Sequence, residues 1–138
     1  MKISKKTEYG LRAMIFLAKN PIREGGRGKI TRPFSLREIA AKTKMPFGFL
    51  ERIFSKLEKA KLIRAKLGVN GGYFLARPAK KISVADVVMV LEEDLAVVHC
   101  QGCPMAGGCS SRDVWDEVKE SISKTMGKKT LADLIKKK

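Results

Sequence analysis

Between Ser35 and Ala76 the chain is punctuated so closely that few folds can accommodate it. Ser35 stands three residues before Glu38, the spacing at which a hydroxyl and a carboxylate reciprocally satisfy the free amides of a helix start. Leu36, Ile39 and Ala40 give that short helix an apolar side, and Lys44-Met45-Pro46 breaks it. From Phe47 to about Lys59 a second helix carries Leu50, Ile53, Phe54 and Leu57 at the i, i+3, i+4, i+7 spacing of one buried face. After Lys61 come L-I-R-A-K-L, then G-V-N-G-G, then Y-F-L-A, and Asn70-Gly71 between two apolar runs predicts a β-hairpin. Two helices joined by a tight turn and followed by a two-stranded wing are the consequence.

The flanks extend this unit. Residues 4 to 19 carry Leu11, Met14, Ile15 and Ala18 at helical spacing with lysines at the entry, and Asn20-Pro21 stops that first helix. The stretch from Ile22 to Pro33 is polar, rich in Gly and Arg and without period, so it reads as a surface loop. Ser83, with Asp86 three residues on, opens the helix V-A-D-V-V-M-V-L-E-E. From Ser111 to about Met126, Val114, Trp115, Val118 and Ile122 form a stripe along a charged helix that needs something to cover it. Thr130 caps a last short helix, L-A-D-L-I. The fold class is mainly α with a small β-hairpin wing: a winged helix-turn-helix over residues 1–80, then a helical region over 81–138 with a cysteine-rich loop at 99–109.

With 138 residues and 44% hydrophobic content, one compact domain with a core and a helical appendage is expected. No run approaches the roughly 18 apolar residues of a membrane span, and the start M-K-I-S-K-K-T-E-Y-G lacks the apolar run of a secretory signal, so the expected setting is the cytoplasm, with no membrane partner. The 29 Lys and Arg against 14 Asp and Glu leave a net charge of +15, which makes polyanions the natural partners. In a winged helix-turn-helix the last helix of the trihelical unit enters the major groove of double-stranded DNA. Its outward residues here include Phe47, Gly48, Glu51, Arg52 and Lys56. Glu51 can accept from a cytosine amino group, Gly48 leaves room for close approach, and Arg52, Lys56, Lys66, Lys5 and Lys6 suit the sugar-phosphate backbone. Ser35, at the entry of the preceding helix, belongs to the same candidate set.

All three cysteines and the single histidine fall in H-C-Q-G-C-P-M-A-G-G-C, residues 99 to 109. In a reducing compartment, an odd number of clustered cysteines points to metal binding or redox work. Cys100, Cys103 and Cys109 can converge on one centre as the chain folds back through its glycines and Pro104, and inward-turned amides can tune an iron-sulfur cluster there. Zinc held by the same cysteines with His99 is a formal alternative, and a bare thiol switch is another. No nucleophile-base pair and no phosphate-cradling Gly-Lys motif is present, so neither an enzyme nor a small-molecule substrate is expected. An electron carrier would leave the basic helix-turn-helix without a purpose, whereas a non-specific architectural DNA binder would leave the cysteines without one.

The strings T-E-Y-G-L-R-A-M-I-F-L-A, F-G-F-L-E-R-I-F-S-K-L-E-K-A-K-L-I and G-V-N-G-G-Y-F-L-A, the clustered cysteines and the closing T-L-A-D-L together resemble the Rrf-two family of bacterial transcription factors over nearly the whole chain. The resemblance implies a homodimer in which the helix at 111 to 126 crosses its mate and the two recognition helices and wings read a palindromic operator. It implies base contacts from Gly48 and Glu51, backbone contacts from Lys6 and Tyr9, and a minor-groove probe at Gly68 to Gly71, including Asn70. It also implies an iron-sulfur cluster on the three cysteines, either [4Fe-4S] or [2Fe-2S], whose state controls operator affinity, commonly as a repressor. Where the family's iron-sulfur regulator has a histidine as fourth ligand, this chain has Arg112, which cannot serve. Glu8, at the position from which some redox and nitric-oxide sensors of the family donate a carboxylate across the dimer, is the first candidate, His99 ranks second, and water or a small thiol is a third option. The long basic loop from Ile22 to Pro33 is a departure from the family pattern.

Overall fold

The computed structural model of the chain describes residues 2–22, 32–92, 103–105 and 107–136. Its element order is α1 (Lys5–Lys19), α2 (Leu36–Thr43), α3 (Phe47–Lys59), β1 (Ile63–Lys66), β2 (Gly72–Leu75), a 3-10 turn (Ala79–Lys81), α4 (Val84–Leu91), α5 (Arg112–Lys128) and α6 (Leu131–Lys136).

Local chemistry sets the helix starts. Ser35 accepts from the Glu38 N–H at 3.2 Å, and Glu38 accepts from the Ser35 N–H, so the expected capping box forms. Ser83 with Asp86 and Thr130 with Asp133 repeat the device at α4 and α6. The turn between α2 and α3 passes through Lys44, whose φ of 57° and ψ of 44° are left-handed. This conformation is costly for a non-glycine residue. It lets the Lys44 and Met45 amides both reach the Ala40 carbonyl and buries Met45. Pro46 then begins α3.

All four residues of the α3 stripe, Leu50, Ile53, Phe54 and Leu57, are fully buried. They pack with Ala13, Met14 and Leu17 of α1 and with Ile39 of α2, and each such side chain removed from water contributes on the order of 1.5–3 kcal/mol. Leu11 and Ile15 lie at the edge of this core rather than inside it. The core also continues across residue 80: Ile82, Val87, Leu91 and Leu131 belong to the same cluster. The C-terminal segment returns through an isolated bridge between Ser83 and Thr130, with Leu131 N–H donating to the Ile82 carbonyl at 2.9 Å. α4 ends at Leu91, two residues short of the expected end at Glu93, where Glu92 turns to extended backbone.

The hairpin is present with β1 and β2 antiparallel, Ile63 opposite Leu75 and Lys66 opposite Gly72. Its turn falls in the expected G-V-N-G-G stretch. The connection runs from Leu67 to Gly71, closed by Gly71 N–H donating to the Gly68 carbonyl at 3.0 Å, and the positive φ of 116° falls at Gly68, not at Asn70. β2 also pairs on its other side: Tyr73 and Phe34 exchange two backbone hydrogen bonds, at 2.7 and 3.3 Å. A Cβ at Gly72 would lie 2.3 Å from the Phe34 carbonyl carbon, so only glycine permits that approach. The wing is thereby tied to the entry of α2, and an edge-to-face contact of Phe54 with Tyr73 at 5.0 Å ties it to α3.

α5 has no buried residue in the single chain. Val114 is 53% and Trp115 39% exposed, while Val118, Ile122 and Met126 are half-buried. No helix among the described residues is long and apolar enough to cross a membrane.

A candidate DNA-binding face and a cysteine-bearing segment

The outer face of α3 carries Gly48, Glu51 and Arg52 in solvent, with Phe47 and Lys56 half-buried beside them. No atom lies within 4 Å of the position a Cβ on Gly48 would take. Internal packing therefore does not require a glycine there, although glycine costs a helix roughly 1 kcal/mol relative to alanine. Pro46 precedes the helix without a side-chain cap, and the first turn holds no acidic residue. The amides at this end are left pointing outward with the helix dipole's positive end, an arrangement suited to an anion.

Cations surround that helix in fixed places. Arg37 of α2 lies 4.9 Å over the Phe47 ring, and Arg12 of α1 lies 5.4 Å over the Tyr9 ring, which itself meets Phe49 of α3 edge-on at 5.4 Å. Tyr9 is thus the joint between α1 and α3. Neither Arg12 nor Arg37 was singled out by sequence reasoning. Their local signal is a bare arginine on a helix, and only the packing shows that each is stacked on an aromatic ring.

Lys5 stands in solvent on the first turn of α1, paired with Glu8 at 3.2 Å, and Lys6 is half-buried there. At the wing tip, Gly68 and Asn70 are exposed and Gly71 is half-buried, while Leu67 and Val69 are fully exposed at 93% and 103%. Those two aliphatic side chains are the other residues sequence reasoning passed over; the apolar letters beside the turn were the available signal. Ser35 is half-buried, and its hydroxyl caps α2. Arg32 closes on Glu38 through two parallel bonds of 2.8 and 2.7 Å, and the carboxyl is held down to about 2, chiefly by the guanidinium bonds, with the Ser35 amide and hydroxyl assisting.

The family profile described as Rrf2, an iron-dependent transcriptional regulator, matches residues 3–137. The chain belongs to the Rrf2 family. The Rrf2 protein of Nitratidesulfovibrio vulgaris is 33% identical over 140 residues, covering 99% of this chain and 88% of that protein. Among solved structures, T. potens IscR superposes with a TM-score of 0.76 at 34% identity, covering 99% of this chain and 87% of that one. CymR, described as the global cysteine regulator of B. subtilis, gives 0.78 at 31%, covering 97% and 95%. The expected winged-helix architecture is the architecture of this Rrf2 family chain, and the family is one of DNA-binding transcriptional regulators, not of enzymes.

The cysteine segment of this Rrf2 family member is described in part. His99 and Cys100 lie outside the described residues, as do residues 23–31 of the basic loop. Cys103 is exposed and Cys109 half-buried, both with free thiols. Cys109 sits at the threshold of α5: its carbonyl accepts from Arg112 N–H at 3.3 Å, and its Sγ lies 3.0 Å from the Ser111 hydroxyl. That hydroxyl serves the sulfur instead of capping the helix. The Ser111 hydroxyl and amide, then the Arg112 amide and charge, hold the Cys109 thiol below its ordinary value, which favours the thiolate that a metal needs. Among the described residues no three metal-binding side chains converge. The donor chemistry nevertheless fits an iron-sulfur group: unpaired thiols, one tuned toward thiolate, with Gly107 and Gly108 open to close approach by a ligand.

Proposed function

We propose that the chain is a homodimeric transcriptional repressor whose affinity for a palindromic operator is controlled by an iron-sulfur cluster on Cys100, Cys103 and Cys109, with Glu8 of the partner subunit as fourth ligand. The observation that carries this reading is the joining of the two halves. Cys109 stands just before α5, whose Val114 and Trp115 stay exposed among the described residues, so a ligand at the cysteines acts where a second copy would pack. The two α5 helices cover each other's Val114 and Trp115. That pairing sets the spacing and tilt of two α3 helices on DNA.

On each subunit Gly48 and Glu51 approach base edges, Phe47, Arg52 and Lys56 line the groove, and Lys5, Lys6 and Tyr9 hold the backbone. Gly68, Asn70 and Gly71 bring the wing to the flank. A cluster held by Cys100, Cys103 and Cys109 would supply thiolate-iron bonds sensitive to oxidants and nitric oxide, and Cys109 just before α5 would pass its binding to the dimer arrangement. Cys103 and Cys109 bind as thiolates, and Glu8 leaves Lys5 to do so, an exchange that costs little because the pair is exposed. The cytoplasm is the setting in which such thiols stay reduced.

Anaerobic purification followed by iron and sulfide analysis, and operator binding of the loaded and stripped forms, tests the reading. A brown dimer whose two forms differ in affinity and protect a discrete symmetric footprint is expected. A second reading, zinc or a bare thiol switch on the same residues, draws on the low thiol of Cys109 and predicts a colourless protein. Uniform coating of the DNA would instead indicate an architectural protein.

A further inference from the structure

The end of α4 meets the start of α1 through a single carboxylate oxygen. Glu92 Oε2 accepts from the Thr7 hydroxyl at 2.6 Å, from the Ser4 hydroxyl at 3.1 Å and from the Ser4 N–H at 3.2 Å. Ser4 is the N-cap of α1, its hydroxyl accepting from Thr7 N–H at 3.3 Å, so the carboxylate lies at the positive end of that helix's dipole. Thr7 is fully buried and is the one buried polar side chain among the described residues. One turn further on, Gly10 packs against Leu91, the residue before Glu92. The first two turns of α1 are therefore registered on the last turn of α4 by a hydrogen-bonded latch and an interlocking contact side by side.

What stands on either side of this latch gives it a use beyond packing. The turn it holds, Ser4 to Tyr9, carries Lys5, Lys6 and Tyr9 on the DNA side and Glu8. Glu92 is also the first residue after α4 on the stretch of chain leading to His99 and Cys100.

We infer that Glu92 is a positioning residue for DNA binding: its carboxylate holds the first turn of α1 in the orientation that presents Lys5 and Lys6 to the phosphates. The inference rests on the proposed placement of α1 along the DNA backbone.

Operator binding by the full-length stripped protein, titrated with salt, tests it. Glu92→Ala lowers affinity about tenfold, a usual size for a coupling between sites. It also flattens the dependence of log K on log salt by about one to two, since each lost phosphate contact removes about 0.9 from the slope. A residue with only a structural role would lower the melting temperature and leave the slope alone. Thr7→Val reproduces the loss at matched shape, the double variant adds nothing to it, and Glu92→Gln retains part of the affinity by keeping an acceptor oxygen. Should Glu92→Ala fail to fold, Thr7→Val and Glu92→Gln carry the test. Full affinity and slope in the folded variants overturn the inference. If cluster loading leaves the wild-type affinity unchanged, the sensor reading fails separately, and Glu92 is judged on the stripped protein.

Discussion

Leu91 Cδ1 lies 2.0 Å from where a Cβ on Gly10 would stand, and Ile53 Cγ2 lies 3.3 Å from it. Glycine in a helix interior is ordinarily a cost that alanine relieves by about 1 kcal/mol. Here both neighbours are fully buried, so the added methyl must push a packed core. Gly10→Ala is expected to lower stability by about 1–3 kcal/mol, read from the denaturant midpoint at unchanged m-value. A midpoint that rises would contradict the close packing of α1 on α4.

Gly48 is the contrasting glycine. With nothing near its absent Cβ, Gly48→Ala is expected to hold or raise stability by up to about 1 kcal/mol while weakening operator binding, because the methyl intrudes only on a partner. Calorimetry and a mobility-shift titration on one preparation measure both. Equal DNA affinity would remove Gly48 from the interface.

Glu51 is expected to read sequence rather than hold phosphate. Glu51→Ala should relax preference at one base pair of each half-site by about 1–3 kcal/mol, whereas Arg52→Ala should weaken all sequences alike and lower the salt slope by about one. Binding to a panel of singly substituted operators separates the two. A uniform loss from Glu51→Ala would assign it to the backbone instead.

The Arg32–Glu38 pair predicts an acid signature. The folded carboxyl is depressed from 4.5 to about 2, so the pair's stabilisation is fully present above about pH 4.5 and is lost as pH falls through the folded value near 2. Glu38→Gln keeps an acceptor for the Ser35 amide but removes the charge. Melting temperatures of wild type and Glu38→Gln should differ at pH 6 and converge toward about pH 2. A constant difference over that range would show that the charge contributes nothing.

Trp115 and Val114 are expected to be covered by a second copy. Trp115→Glu should place a charge in that seam, shift the sedimentation coefficient from dimer to monomer and reduce operator affinity by more than tenfold, as each half-site then binds alone. Since Trp115 is 39% exposed in the single chain, the subunit itself should stay folded. A dimer that persists in this variant at micromolar concentration would rule out the α5 seam.

The helix starts were legible because their determinants are three residues apart. Ser35 with Glu38, Ser83 with Asp86 and Thr130 with Asp133 need no knowledge of what lies elsewhere, and the α3 stripe shows its buried face by period alone. The candidate site was legible to the same depth: Gly48, Glu51 and Arg52 fall on the exposed side of α3 because Leu50, Ile53 and Phe54 occupy the other. The cysteines were legible as a chemical set, though not as a geometry.

Other features required the chain to close on itself. Asn70-Gly71 correctly signals a hairpin, but nothing local shows that Gly72 lets Phe34 pair with Tyr73, a partner nearly forty positions away. Arg12 and Arg37 gain fixed directions only when Tyr9 and Phe47 come beneath them. The bond between Thr7 and Glu92 spans 85 positions, and its donors and acceptor are ordinary surface letters until α1 and α4 pack. Caps and stripes depend on the free energy of one turn of backbone, which neighbouring residues supply. Latches between segments distant in sequence depend on which buried faces meet, and that is decided only when the whole core excludes water.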